Sequence, residues 1–161
     1  MILCGIDPGF SGAVALLDPG SWSLSVHDMP VLPGPKGKTE LDLRGLAGLL
    51  MPMDQDKRHI AAVERVSAMP GQGVSSVFRF GQSFGAIQMA VSAHGYEVHY
   101  PAPSQWKKHF GLSSDKDTSR LMAMQRFPDA SKLFSLKKHD GRAEAALLAL
   151  YAYEKLVSRN T

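Results

Sequence analysis

Two acidic residues lie where an ionised carboxylate is expected to need a cationic partner. Asp7 closes the apolar run 2–7 at a Pro-Gly turn, and Glu64 lies near the end of a second apolar run, 59–66. Both runs have the composition of buried strands, where an unpaired negative charge is destabilising. A metal ion is the simplest partner that could stabilise both carboxylates.

A second acidic pair, Asp140 and Glu144, opens an apolar helix predicted over 143–157. The four-residue spacing puts both side chains on one helix face, with Cβ atoms about 5–6 Å apart, so one cation could contact both. Carboxylate oxygens suit Mg²⁺ or Mn²⁺, whereas zinc would favour Cys or His. Two such ions about 3.5–4 Å apart can stabilise the attacking and leaving oxygens of phosphodiester hydrolysis. Each acid alone has an ordinary explanation as a turn cap or a solvated side chain, but the set favours a metal site.

The composition fits a globular protein with a polyanionic ligand. The chain has 161 residues, 44% of them hydrophobic and 20% charged, with 18 Lys and Arg against 15 Asp and Glu; this length suits one domain. If the acids gather in one site, the remaining surface is more positive than the net charge of +3 indicates, which favours phosphate-rich partners. The single Cys4 excludes an internal disulfide. With no long apolar span or signal segment, we expect a cytoplasmic protein that does not bind membranes.

Local patterns predict an α/β domain with a mixed sheet flanked by helices. Strands are predicted at 2–7, 12–18, 22–29, 59–66 and 96–100, and helices at 41–51, 75–93, 103–110, 115–127 and 143–157. The first three strands should form an antiparallel meander, and the basic, Pro/Gly-rich stretch 30–38 is predicted to be an exposed loop. In the 75–93 helix, Gly81 and Gly85 lie one turn apart beside an apolar stripe, which is typical of either a subunit interface or core packing.

Six short motifs together resemble those of a known family. They are 6–9 (IDPG), 63–66 (VERV), 80–86 (FGQSFGA), 104–108 (SQWKK), 114–116 (SDK) and 139–145 (HDGRAEA). Their order and spacing resemble the RuvC family of Holliday junction resolvases over nearly the full length, and phage or prophage members in particular. One motif alone would be weak, because similar Asp-Pro-Gly turns occur in actin-like ATPases.

The resemblance implies a single RNase H-like nuclease domain over 1–161, with a mixed five-stranded sheet flanked by helices. It further implies a homodimer that binds branched DNA, chiefly four-way junctions. Paired nicks in opposed strands would follow from attack by a metal-activated water, leaving 5′-phosphate and 3′-hydroxyl ends. By position, the catalytic and metal-binding acids would be Asp7, Glu64, Asp140 and Glu144, holding Mg²⁺ or Mn²⁺, with two ions per site.

Basic residues near these motifs extend the predicted site. Lys116 matches a family lysine close to the scissile phosphate and is predicted to be catalytic. Lys107 matches a family position and, with the adjacent Lys108, is predicted to bind DNA. Basic residues near the acids favour contact with a strand's backbone, which adds Arg79, Lys137 and Lys138. His139 is equally consistent with a metal ligand or base and with a structural role, and Trp22 and Trp106 are predicted core or interface anchors.

Two departures from the family pattern keep other functions open. Bacterial RuvC typically has its last two acids three apart as aspartates, whereas here they are four apart and the second is Glu144. The loop 67–73 is also longer than its counterpart in bacterial RuvC and has no aromatic residue three positions after Glu64. A broader fork or flap endonuclease and a non-catalytic junction-binding protein are therefore alternatives. An actin-like ATPase would need two such domains, and this length suits one.

Overall fold

A mixed sheet of five strands forms the centre of the protein. The computed structural model describes residues 1–52, 56–68, 71–113 and 115–157, except for the side chain of Lys116. The strands are β1 Ile2–Asp7, β2 Ala13–Asp18, β3 Ser23–Asp28, β6 His59–Val63 and β7 Glu97–His99, while β4 Val31–Pro33 and β5 Thr39–Leu41 pair separately. The sheet order is β3–β2–β1–β6–β7, with β1–β2–β3 antiparallel and β1–β6–β7 parallel. The predicted meander and mixed five-stranded sheet are confirmed.

Helices cover both faces of this sheet because buried side chains alternate along its strands. The helices are α1 Leu43–Leu50, α2 Val74–Ala93, α3 Pro103–His109, α4 Lys116–Arg126 and α5 Asp140–Ala152. On one face of the sheet, Leu3 and Ile60 belong to the hydrophobic cluster that contains α5; on the other, Cys4 and Ala61 pack with residues of α1 and α2. Within the described part of the chain, no helix has the length and apolar character needed to cross a membrane.

Helix α5 lies unusually close to β1. Gly5 of β1 faces the α5 backbone, and a Cβ atom there would overlap the Ala145 carbonyl oxygen and the Ala149 amide nitrogen. Most side chains of α5 are small or aliphatic and fully buried, as the apolar sequence predicted. The close approach therefore depends on glycine in the strand and alanine in the helix.

Strand pairing places the first two acids at one edge of the sheet. In the parallel pair β1–β6, Ile6 lies opposite Val63, and the Glu64 amide donates to the Ile6 carbonyl at 3.0 Å. Asp7, the last residue of β1, and Glu64, the first residue after β6, consequently occupy adjacent positions at the carboxyl edge of the sheet. This edge is where open α/β sheets commonly bind ligands.

The stretch 30–38 was wrongly predicted to be a loop, because much of it belongs to a β-hairpin. Strand β4 pairs with β5, with Val31 opposite Leu41, and a short 3₁₀ turn, Pro35–Gly37, joins them. The hairpin contacts α2, since Arg79 donates to the Thr39 carbonyl. Proline removes ladder donors and is tolerated in edge strands, so the local composition did not reveal this pairing.

The last predicted helix has different limits in the structure. It begins at Asp140 rather than 143 and ends at Ala152, followed by a π-helical turn, Tyr153–Val157. The side chain of Arg142 makes two hydrogen bonds to the Asp28 carboxylate, at 2.6 and 2.7 Å. This ion pair attaches the first turn of α5 to the end of β3.

The contact at Gly5 predicts a strong effect of one methyl group. Gly5→Ala should lower the free energy of unfolding by at least about 1–3 kcal/mol, because two backbones must separate. Gly48→Ala is the matched control: Gly48 lies in α1 with open space around its Cβ direction, and Ala there should raise stability by up to about 1 kcal/mol. Urea unfolding measures both, and equal effects would contradict this account of the packing.

Candidate active site

A tight turn fixes the carboxylate of Asp7. The Gly9 amide donates to Asp7 Oδ1 at 3.3 Å, and the Gly12 amide donates to the Gly9 carbonyl at 2.9 Å. Gly141 of α5 packs against this turn, since a Cβ atom there would lie 3.1 Å from Asp7 Oδ2. The start of α5 is thereby held beside the end of β1.

Four acids from three elements act on one another electrostatically. The pKa of Asp7 is raised to about 7, first by burial and then by the negative charges of Glu144, Glu64 and Asp140, against the opposing hydrogen bond from the Gly9 amide. Mutual repulsion of this kind indicates that the carboxylates share one neighbourhood. The fold thus brings together the four acids that the sequence singled out.

Glu64 is held in place by a buried tryptophan. The Trp106 indole N–H donates to Glu64 Oε1 at 3.0 Å, and Trp106 is fully buried. Burial raises the pKa of Glu64 above its ordinary value, the Trp106 hydrogen bond lowers it, Glu144 raises it and Lys107 lowers it. Trp106 is therefore a core residue that also positions an acid of the site.

Glu144 is held by two side chains from other helices. Lys107 Nζ lies 3.0 Å from Glu144 Oε1, and the Ser119 hydroxyl donates to the same oxygen at 3.4 Å. The Lys107 ammonium also lies 5.1 Å from the centre of the Trp106 ring. The consecutive residues Trp106 and Lys107 thus each bind one acid, and Ser119 is a contact that the sequence analysis missed because an isolated helical serine carries no signal.

The donor set suits a hard divalent cation. All four side chains offer oxygen, and a cation would relieve the repulsion that raises the pKa of Asp7. Over the ranges that the structure describes, no three acidic, histidine or cysteine side chains are close enough to hold one ion. The chemistry of the residues fits Mg²⁺ or Mn²⁺, but binding would require the carboxylates to draw together.

His139 makes its hydrogen bond within the turn that precedes α5. It is 7% exposed, and its Nδ1 accepts from the Leu136 amide at 3.4 Å. Burial and the charges of Arg142 and Lys138 hold the pKa of His139 below its ordinary value. These contacts favour the structural interpretation of His139 over the metal ligand or base.

The other predicted basic residues are distributed around the acids. Lys108 is exposed on α3, and Lys137 and Lys138 are exposed in the 3₁₀ turn that precedes α5. Arg79 lies on α2, with its guanidinium 5.3 Å from the centre of the Phe10 ring. Lys116 begins α4, and its side chain lies outside the described residues, as do residues 69 and 70 of the loop 67–73.

The raised pKa of Asp7 predicts a pH-dependent stability when divalent cations are chelated. The folded protein keeps the Asp7 proton up to about pH 7, whereas the ordinary value is 3.8, so stability should fall as pH rises between these values. Asp7→Asn cannot ionise and should be more stable than the parent by on the order of 2–4 kcal/mol at pH 8. Urea unfolding at pH 8 and pH 3.5 should show this difference disappearing at the lower pH; a difference independent of pH would refute the assignment.

The sequence of this chain is similar to that of one known protein over most of its length. No family model matches the sequence. The chloroplastic Holliday junction resolvase MOC1 of Chlamydomonas reinhardtii is 27% identical in an alignment 157 positions long, which covers 84% of this chain but only 18% of that protein. The chain therefore spans less than a fifth of the length of this relative.

Solved structures match nearly the whole chain. RuvC of Thermus thermophilus in complex with a Holliday junction substrate has a TM-score of 0.62 and 16% identity, with 98% of each chain covered. A second Thermus thermophilus RuvC structure has a TM-score of 0.54 and 18% identity, covering 97% of this chain and 96% of that one. The chain therefore has the RNase H-like fold of RuvC.

Proposed function

We propose that this chain is a divalent-metal-dependent endonuclease that resolves four-way DNA junctions by paired nicks in opposed strands. The observation that carries this proposal is the convergence of Asp7, Glu64, Asp140 and Glu144 at one edge of a RuvC-like sheet. The names of the similar proteins support it, since MOC1 is a Holliday junction resolvase and one RuvC structure contains a junction substrate.

The residues of the chain have distinct parts in this proposal. When bound between the carboxylates, Mg²⁺ or Mn²⁺, with two ions per site, supplies activation of water and neutralisation of phosphate charge. Asp7 and Glu64 would hold the metal from the sheet edge, and Asp140 and Glu144 would hold it from α5. Lys107, which pairs with Glu144 in this structure, would contact a phosphate oxygen of the bound strand. The expected products carry 5′-phosphate and 3′-hydroxyl ends.

Basic residues around the acids complete the proposed DNA surface. Lys108, Arg79, Lys137 and Lys138 come from three separate elements, which suits contact with successive phosphates of a bound strand. Lys116, at the first position of α4, is proposed to act near the scissile phosphate. We assign His139 to support of the α5 N-terminus, because its Nδ1 is bonded to the Leu136 amide.

One face of α2 supports the proposal of a homodimer. Val74, Phe78 and Met89 are 86%, 66% and 69% exposed, and Gly81 and Gly85 lie on the same helical stripe with open space above them. An exposed apolar stripe of this kind is typical of an interaction surface. A two-fold dimer formed through it would match a junction that is cut at two symmetric positions.

The organisation and location of the protein complete the proposal. Residues 1–161 are proposed to act as one nuclease domain, because both hydrophobic clusters pack on the same sheet. A cytoplasmic location is supported by Cys4, which is buried as a thiol. Origin from a phage or prophage stays a prediction from the sequence resemblance.

The proposed function predicts a specific pattern of DNA cleavage. End-labelled four-way junction, Y-fork and linear duplex should be incubated with Mg²⁺, Mn²⁺ or a chelator and the nicks mapped. Paired, metal-dependent nicks on opposed junction strands are expected, with slower cleavage of the fork. Asp7→Asn should reduce the rate by at least about 100-fold through loss of a metal ligand, and it should retain junction binding because the basic surface is unchanged.

The controls separate the alternatives. Asp129→Asn removes an exposed acid outside the site and should cleave like the parent. Faster cleavage of forks than of junctions would favour the broader nuclease, and binding without any nick would favour the non-catalytic junction-binding protein. Cleavage by Asp7→Asn at the parental rate would refute the site.

The proposed homodimer predicts a change of oligomeric state when α2 is altered. Phe78→Glu places a charge in the centre of the exposed α2 stripe and should convert a dimer to a monomer in light scattering. Leu121→Glu is the control, since Leu121 is 65% exposed on α4 and the dimer should persist. A parent chain that is monomeric, or a Phe78→Glu variant that is still dimeric, would contradict the proposed interface.

A further inference from the structure

An open cleft lies beside the turn that carries Asp7, and the proposed cleavage chemistry does not use it. Its volume is about 340 Å³, near the lower end of the range of about 300–1,000 Å³ for small-molecule sites. Four elements line it: Phe10 comes from the turn, Glu40 and Leu41 from β5, Leu43 from α1, and Arg79 and Gln82 from α2.

The cleft has a fixed position relative to the acids. Phe10 lies between Gly9 and Gly12, whose backbones are hydrogen-bonded at 2.9 Å, and the Gly9 amide is bonded to the Asp7 carboxylate. Phe10 and the Asp7 carboxylate therefore belong to one rigid turn. A group that packs against Phe10 is consequently positioned with respect to the site of cleavage.

Arg79 is fixed from the opposite side of the cleft. Its guanidinium donates to the Thr39 carbonyl of the hairpin and lies 5.3 Å from the centre of the Phe10 ring. Part of its hydrogen-bonding capacity is used by the protein, and the plane of its guanidinium offers a stacking surface in addition to the donors that remain for a phosphate. Phe10 and Arg79 together form a stacking platform.

The remaining wall disfavours a phosphate and favours a flat neutral group. The carboxylate of Glu40 would repel an anion, whereas it can accept from N–H groups, and the Gln82 amide can both donate and accept. Leu41 and Leu43 add apolar surface. A nucleobase combines a planar apolar face with a hydrogen-bonding edge, and single-stranded bases characteristically stack on aromatic rings and arginine.

We propose that this cleft receives one unpaired nucleobase of the DNA strand bound at Asp7, next to the phosphate that is cut. Phe10 and Arg79 stack against the base, while Glu40 and Gln82 contact its edge. The inference rests on the proposed function and adds a base-binding subsite to it. At a branch point the free energy needed to unpair such a base is low, because base pairs there open more easily than those of a continuous duplex.

The subsite assigns a role to the β4–β5 hairpin. Strand β5 contributes Glu40 and Leu41 to the cleft and holds Arg79 through the Thr39 carbonyl. The hairpin is thus the outer wall of the proposed subsite, and the cleft exists because this basic stretch of the sequence is folded against α2.

An abasic-site scan tests the inference. After the nick is mapped, a single abasic site is placed in turn at each nucleotide around it, and junction binding is measured by fluorescence anisotropy in chelator. At one position next to the nick, loss of the base should weaken binding by the parent chain about 5- to 150-fold, which is the size of one stacking interaction. For Phe10→Leu, the same abasic site should change binding by no more than about 2-fold.

Three further variants make the result specific. Phe10→Trp keeps a stacking ring and should restore the penalty at that position, and Leu121→Ala, an exposed apolar control outside the site, should behave like the parent. Gln82 is exposed on α2, so Gln82→Ala should fold normally. This variant should reduce the difference in binding among the four natural bases at that position, and it keeps the inference testable if Phe10→Leu fails to fold.

The outcomes distinguish the inference from the proposed function. If the parent binds and cuts junctions but no abasic position next to the nick weakens binding, the subsite is refuted while the nuclease stands. The same holds if Phe10→Leu shows the full parental penalty. If the parent binds no branched DNA, the proposed function itself fails, and the subsite fails with it.

Discussion

The close approach of helix α5 to strand β1 is the constraint on which the rest of this structure depends. Gly5 lets the helix backbone lie against the strand, and Gly141 lets the first helical turn pack on the loop that follows it. Because α5 carries Asp140 in its first turn and Glu144 in its second, this packing brings both acids towards the carboxylate of Asp7. A bulkier residue at either glycine would move α5 outward and separate the acids, so backbone packing and site geometry are one property here.

Bringing four carboxylates together opposes folding, and the surrounding residues offset part of the repulsion. The pKa of Asp7 is raised to about 7 by burial and by its acidic neighbours, which marks the free energy stored in the site. Trp106 and Lys107, adjacent on α3, each stabilise one of the other acids. Such a site is stabilised by any cation that enters it, which couples metal binding to the stability of the sheet edge. Repulsion between buried carboxylates is typical of functional sites, where it lowers the stability of the fold and favours the binding of a cation.

The hairpin beside the site shows how a chain can add specificity to a common fold. The five-stranded sheet and α5 account for the acids, whereas β4, β5 and the N-terminal half of α2 form a separate surface next to them. This surface also packs on the sheet, since Leu41 of β5 and Phe84 of α2 belong with Ile6 and Val63 to one hydrophobic cluster. In the proposed base-binding subsite, Phe10 and Arg79 act on the choice of DNA and are not among the proposed metal-binding acids.

The sequence by itself determined the five strands of the central sheet, the five α-helices to within a few residues, the four acids and the resemblance that indicated the fold, but not the β4–β5 hairpin. These follow from local periodicity and from short motifs, which neighbouring residues encode. The tertiary structure alone decided that Trp106 binds Glu64, that Lys107 binds Glu144 and that His139 turns to the Leu136 amide. The first two contacts join residues far apart in the chain, and the last depends on how the buried turn packs before α5. The physical reason is that side-chain partners depend on how helices pack on the sheet, and that packing is set by the whole core rather than by any local pattern.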